Sequence, residues 1–279
     1  MSQSLAQLLV HLDASPQAVQ RLEVACRLGQ THGAVVCALY AVTPSLVELP
    51  FSPEIGPDIA AALRDIDDAQ RAGALAAFKQ SRLAADVHAT WAEVSDAPVA
   101  AVFAQQAFYA DLLVLGQRGP SQSSPTGVPP DFVETVMGAS GKPALVLPYA
   151  EAAAEIGQNV LIAWKPTREA ARAVSAAIPL LQRARSVQII AWAGEEEAVS
   201  GERLDLNGYL WRHGVEAIWH REGEEPQALG ELLLSRAFDL NADLLVMGCY
   251  GHSRTREWIL GGTSRTVLRA MTLPVLMAH

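Results

Sequence analysis

The sequence predicts an α/β protein of two tandem domains, each a five-stranded parallel sheet with helices on both faces, and three observations carry that expectation. The first is size and composition. A chain of 279 residues, 50% hydrophobic and 18% charged, suits two domains of roughly 100–200 residues with a sizeable core in each, and it is too apolar for a disordered chain. The second is a repeat. Ala110-Asp-Leu-Leu-Val-Leu-Gly116 recurs as Ala242-Asp-Leu-Leu-Val-Met-Gly248, and Pro143-Ala-Leu-Val-Leu-Pro148 is answered by Pro274-Val-Leu-Met-Ala-His279. The third is the alternation of short β-rich apolar runs with helical patterns, the mark of βαβ units whose strands are covered on both faces.

The first half places its strands at residues 5–12, 34–42, 86–93, 111–116 and 144–148. Leu9-Val-His-Leu-Asp13 matches Leu161-Ile-Ala-Trp-Lys165 at an offset of 152, whereas the later landmarks match at 132 and 131. The first half therefore carries an insertion, expected within 47–80, where Pro50, Pro53 and Pro57 precede an amphipathic pattern over 59–78. Residues 149–158, rich in Ala and Glu, form the linker, which gives domains 1–150 and 151–279. In the second half the strands fall at 159–164, 186–192, 215–221, 243–248 and 275–278. The helix before the fourth of them, 226–240, is expected to turn Leu229, Leu232, Leu233 and Phe238 toward the sheet.

Charge and cysteines narrow the function. With 30 Asp+Glu against 21 Lys+Arg, a net −9, the chain lacks the basic face a duplex-DNA binder needs, so no nucleic-acid partner is expected. Cys26, Cys37 and Cys249 are odd in number and have no C-x-x-C spacing, which points away from a disulfide framework or a thiolate zinc site and toward a reducing compartment. No Lys or Arg precedes Arg21, and apolar runs such as 33–42 fall short of about 20 residues. The expectation is a cytoplasmic protein with no membrane partner.

Ligands of open α/β sheets collect beyond the carboxyl ends of the strands, so glycines after a strand are the natural place to look. Gly248-Cys-Tyr-Gly251 ends the fourth strand of the second half, and Gly261-Gly262-Thr263-Ser264 then opens a helix running to about Met271. Glycines let a ligand approach the backbone closely, and the free N–H groups of a helix start favour an anion. Residues 248–279 hold Arg254, Arg256, Arg265 and Arg269 against the single acid Glu257, which suits a phosphate-sized partner. Cys249 reads as a small buried apolar residue. Among the histidines only His252 adjoins the glycines, and no pair has metal-ligand spacing.

This G-x2-G-x9-G spacing, followed by small hydroxyl residues and closing on Leu-Pro-Val-Leu, resembles the nucleotide-binding signature of the universal stress protein family. With the strand and helix order of both halves, the resemblance covers nearly the whole chain as a tandem member. It implies Rossmann-like domains of the adenine nucleotide alpha hydrolase-like kind, related by approximate two-fold symmetry, and a stress-responsive regulatory protein. It also implies ATP or another adenine nucleotide at Gly248, Gly251, Gly261, Gly262, Thr263 and Ser264, with backbone near Ala163 and Trp192 holding adenine; beside it, the residues themselves give Arg254 and Arg256 as either a phosphate clamp or a solvated loop. Two departures stand out. Family members that bind ATP usually have Asp at the end of the first strand, and here the second half has Lys165, an ammonium within reach of a phosphate. The extra Gly262 also moves Thr263 one position along.

The first half departs further. Gly116, Gly119 and Asp13 remain, but Pro129 and Pro130 have no N–H to offer, and Asp131 with Glu134 is expected to form a capping box that places carboxylates at the helix start. No ATP is expected there, although Asp13 and the long 59–78 helix could wall a pocket for something else. An enzyme reading lacks its groups. The chain has no G-x-x-x-x-G-K-[ST] loop, no H-E-x-x-H, no G-x-S-x-G, and no carboxylate cluster near the glycines to hold Mg²⁺ or activate water. The alternatives to nucleotide binding are a nucleotide-independent interaction scaffold and a weak ATPase. Single-domain relatives pair through their last strands, so residues 144–147 and 275–277 are expected to pair within the chain as a pseudo-dimer, with a homodimer of chains open.

Overall fold

The computed structural model describes residues 5–48, 56–94, 98–119, 127–150, 155–192, 204–224, 226–249 and 262–279. The chain forms two compact units, one over Leu5–Lys142 and the other over Pro143–His279.

In the first unit, β1 (Gln7–Leu12) is followed by α1 (Gln17–His32), β2 (Val35–Tyr40), the short α2 (Ser45–Glu48), the 24-residue α3 (Pro57–Gln80), α4 (Arg82–Asp86), β3 (Thr90–Glu93), α5 (Val99–Ala107), β4 (Leu112–Gly116) and α6 (Phe132–Ser140). The strands lie in the order β3-β2-β1-β4 and pair in parallel. Leu8, Val10, Leu112, Leu113 and Val114 are fully buried, which explains the unbroken apolar runs at strands covered on both faces. The insertion is α3, close to the expected bounds.

One expected strand is half wrong. Residues 82–86 are helical, because the Ser81 hydroxyl accepts from Ala84 N at 3.2 Å and starts a turn of helix. His88 then takes a left-handed φ of 52° before β3 begins at Thr90. Of the strand expected at 86–93, Asp86 is thus taken into α4 and the turn through His88 delays the start to Thr90.

The second unit contains β5 (Ala144–Leu147), β6 (Asn159–Trp164), α7 (Arg168–Leu181), β7 (Ser186–Trp192), α8 (Leu206–Arg212), β8 (Ile218–Glu222), α9 (Leu229–Asp239), β9 (Leu244–Gly248), α10 (Gly262–Ala270) and β10 (Val275–Ala278). Its strand order is β5-β10-β9-β6-β7-β8, parallel except that β5 runs antiparallel to β10. Val275 pairs with Val146 and Met277 with Ala144, the expected partnership of these two short strands. β8 starts three residues later than expected, after Gly214 turns the chain and Val215 N donates back to Leu210 O at 2.9 Å.

On α9 the inward stripe is Leu229, Leu233 and Ala237, spaced by four, with Leu232 half-buried. Phe238 is 84% exposed, contrary to expectation, because one step past Ala237 turns it about 100° off that stripe.

The repeated aspartates are structural. Asp111 Oδ2 accepts from Ala6 N and Gln7 N at 2.8 and 2.9 Å, and the carboxylate of Asp243 accepts from Gly157, Gln158 and Asn159 N at 2.8–3.1 Å. They tie the start of β1 to that of β4 and the start of β6 to that of β9, at the end of the sheet opposite the glycines. Among the described residues no helix is long and apolar enough to cross a membrane.

Candidate functional site

In the second unit β6 lies between β7 and β9. The chain therefore leaves β6 toward one side of the sheet and returns on the other, and the crevice for a ligand forms between the carboxyl ends of β6 and β9. Ala163 pairs with Met247 across this boundary, which puts Trp164 and Lys165 beside Gly248. Ala163 is 3% exposed, while Lys165 and Trp192, the last residue of β7, are half-buried. These four predicted site residues share one end of the sheet.

Gly248 is required by close approach. A Cβ there would lie 2.7 Å from Glu169 C and 2.9 Å from Ala170 Cα, backbone atoms of the first turn of α7 that cannot swing aside. That turn is itself anchored: Thr167 N donates to Lys165 O at 2.7 Å, and the Thr167 hydroxyl accepts from Ala170 N at 3.3 Å. Glu169, ion-paired with Arg168, supplies an acid to the first turn of α7. The first turn of α10 has none, so the α10 start is the more favourable of the two for an anion.

Gly262 is exposed and a Cβ on it would meet nothing within 4 Å; Thr263 is half-buried. Ser264 is fully buried. α10 packs on α9 at Gly230, where a Cβ would lie 2.8 Å from Thr266 Cβ and 3.0 Å from Thr263 O. Cys249 is buried, as expected, and Cys249 N donates to Ala278 O at 2.9 Å. Gly251, Arg254 and Gly261, with His252, Arg256 and Glu257, lie outside the described residues.

The corresponding end of the first unit is built differently. Asp13, just past β1, is 6% exposed and ion-paired with Arg21, whose Nη2 lies 2.8 Å from Asp13 Oδ1. Ser15 N and Ser15 Oγ donate to the same oxygen at 2.9 and 2.5 Å. Burial opposes ionisation of Asp13, but the Arg21 charge and the Ser15 bonds outweigh it and hold the carboxyl at about 2. Arg21 Nε also donates to His11 O at 2.9 Å, and Nη1 comes within 2.5 Å of where a Gly116 Cβ would stand. The guanidinium therefore fills the space between the ends of β1 and β4.

His11 is buried against Phe103 and Phe132, with ring centroids 5.6 and 4.4 Å away. Its Nε2 lies 2.9 Å from Ala41 O, which can only accept, so the neutral ring carries its proton there. Burial first and the Arg21 charge second lower its pKa to about 4. At the end of β2, Thr43 N donates to Gly127 O at 2.6 Å. Gly127 has a left-handed φ of 64°, and a Cβ on it would meet Thr43 O at 2.6 Å.

The expected capping box at Asp131 does not form. Asp131 sits at φ −106°, ψ 20°, outside the extended geometry that aims a side chain at the helix amides, and makes no cap bond. Phe132 N donates to Pro129 O at 3.1 Å instead, and the Asp131 carboxylate accepts from the Thr135 hydroxyl at 3.2 Å. The first unit's crevice is filled by Arg21.

Arg21 was the residue that motif reading missed. Overlaying the halves at the offset of 152 reveals it: Asp13 and Arg21 stand where the second half has Lys165 and Ala173. Among the described residues no group of three or more His, Cys, Asp or Glu could hold a metal ion.

The family model for the universal stress proteins matches residues 192–279. A solved universal stress protein from Archaeoglobus fulgidus DSM 4304 is similar at 18% identity and a TM-score of 0.70, over 98% of this chain and 96% of that one. A functionally unknown protein from Pseudomonas aeruginosa PAO1 is similar at 13% identity and a TM-score of 0.56, over 98% and 92%. No curated protein sequence matches the chain.

Proposed function

From the match of residues 192–279 to the universal stress protein family model and the likeness of the whole chain's fold to a universal stress protein, we propose that this is a tandem, stress-responsive regulatory protein whose second domain binds ATP or another adenine nucleotide. In this reading the domains span 1–150 and 151–279. The observation that supports it most is the contrast between the two crevices. Beside Gly248 the second domain has Lys165, and its α10 begins without an acid in the first turn. In the first domain Arg21 occupies the equivalent space.

The residues fit an adenine nucleotide in kind: glycine at a close approach, backbone amides at Thr263 and Ser264, the Lys165 ammonium, and Trp164 or Trp192 for a ring to stack on. Arg254 and the paired glycines Gly251 and Gly261 complete the proposed set. Binding would shift the chain's conformation or its choice of partner, with hydrolysis slow at most.

Lys165, standing in place of the family's Asp, favours a second reading in which the chain is a scaffold that needs no nucleotide. Titrating ATP into the wild type and into Gly251→Ala, Gly261→Ala and Lys165→Ala separates the two. Nucleotide binding predicts a dissociation constant below about 1 mM, weakened at least tenfold by either glycine change. Affinity weaker than that, or unmoved by both glycine changes, leaves the scaffold. A steady-state phosphate-release assay addresses turnover.

A further inference from the structure

The insertion that distinguishes the first unit encloses space that its own side chains do not fill. A cavity of about 310 Å³ lies between the start of α1 and the later turns of α3. On the α3 side Gln70 and Phe78 flank a floor of Ala69, Gly73, Ala74 and Ala77, four residues too short to reach across to Val19 and Leu22 on α1. The helix pays for this: none of its 24 residues is fully buried, although it is held at Ser45 by Asp67 and at Glu93 by Arg71. A helix braced at these points and unpacked between them leaves a gap that a ligand's apolar surface would close.

The cavity also has a polar end. Asp13 lines it, and the Ser15 and Arg21 contacts all fall on Oδ1. Among the described residues Oδ2 has no partner, although the side chain is only 7% exposed. An ionised oxygen at an apolar wall is a hydrogen-bond acceptor waiting for a donor. The volume is at the low end of the roughly 300–1,000 Å³ of small-molecule sites, and such sites combine apolar walls with a few placed polar groups. Among the described residues the lining comes from the end of β1, the loop 13–16, α1 and α3; the cavity shares Asp13 with the crevice between β1 and β4 that Arg21 fills, but β4 contributes nothing to it.

We propose that this cavity binds a small neutral aromatic or alicyclic molecule carrying one N–H or O–H donor, its ring against Ala74, Ala77 and Val19 and its donor on Asp13 Oδ2. The ring replaces the contacts that α3 lacks. Anionic ligands are disfavoured by the carboxylate, and a triphosphate has no cation here beyond Arg21, which is already committed. The site is independent of nucleotide binding in the other unit.

The probe is indole, titrated into the full-length ¹⁵N-labelled chain and followed through the amide shifts of Ser15 and Ala74. Benzofuran, the same shape without the N–H, is the control. Indole is expected to saturate these shifts with a dissociation constant below about 1 mM, and benzofuran to bind roughly tenfold more weakly, the effect of losing one hydrogen bond to a charged acceptor. Gly73→Leu should abolish the shifts while leaving the melting temperature unchanged or raised, because a Cβ on Gly73 meets nothing within 4 Å and the leucine fills the space; Ala74→Leu provides a second filled variant. Both should keep the wild-type response to ATP, so failure here is distinguishable from failure of the nucleotide reading. The proposal is overturned if millimolar indole moves neither amide, if both filled variants bind it as the wild type does, or if benzofuran binds equally well.

Discussion

Replacing His11 with glutamine should remove a specific part of the protein's acid sensitivity. The ring is buried and neutral, with its pKa lowered from 6.5 to about 4 by burial and by Arg21 against the smaller opposing pulls of Asp13 and the Ala41 carbonyl. Between those two values the unfolded chain binds a proton at His11 that the folded one refuses, so stability is full above pH 6.5 and falls as pH drops toward 4. At about 1.36 kcal/mol per unit, that difference amounts to about 3 kcal/mol. Asp13, lowered from 3.8 to about 2, acts only below this window, with the same sign. Glutamine retains an N–H for Ala41 O and cannot titrate. The assay is urea unfolding at several pH values from 7.5 to 4.5, read by hydrogen exchange in peptides from β1 and β4 so that the first unit is followed separately. The wild type should lose more stability than His11→Gln over that range, the gap reaching about 2.5 kcal/mol at its acid end. Parallel loss in the two proteins, within about 0.5 kcal/mol, would refute the assignment of His11 as a buried neutral ring.

Other expectations follow from the same contacts. Arg21→Ala leaves the Asp13 carboxylate buried without its cation and should cost about 3–5 kcal/mol, with much of the loss recovered in the Arg21→Ala, Asp13→Asn double variant; equal stabilities of the single and double variants would contradict the ion pair. Gly248→Ala drives a methyl into the backbone of Glu169 and Ala170 and should cost about 3 kcal/mol, the upper end for overpacking. Gly262→Ala meets no atom of the described residues within 4 Å and, as the first residue of α10, should gain less than about 1 kcal/mol from helix propensity. Urea midpoints of the two glycine variants check both signs.

The fold was legible because parallel strands covered on both faces leave runs such as Leu112–Gly116 and Leu244–Gly248, which stand out by composition and by repetition. Local geometry shortened two expected strands at their starts: the left-handed His88 delayed β3 to Thr90, and Gly214 delayed β8 to Ile218. At the site, Gly248 and Lys165 could be placed from spacing alone, since strand ends follow the strands. The capping box failed because a D-x-x-E string specifies residue types and not dihedrals, and Asp131 lacks the extended backbone that the motif requires. Arg21 was invisible to motif reading because its role comes from a helix that returns it over Gly116. Only comparison with Ala173 in the other half exposes the substitution. Phe238 shows the limit of counting apolar residues in a helix: hydrophobicity chose it, and angular position excluded it.

The antiparallel partnership of β5 with β10 bears on how the protein can be divided. Cutting at the linker, so that a fragment begins at residue 151, would strip β10 of its neighbour and bare a row of unsatisfied amides along Val275–Ala278, an invitation to stick to another molecule. A fragment starting at Pro143 keeps its own lid on that seam. Dissecting the two halves will report on their separate properties only if the scissors fall before the fifth strand.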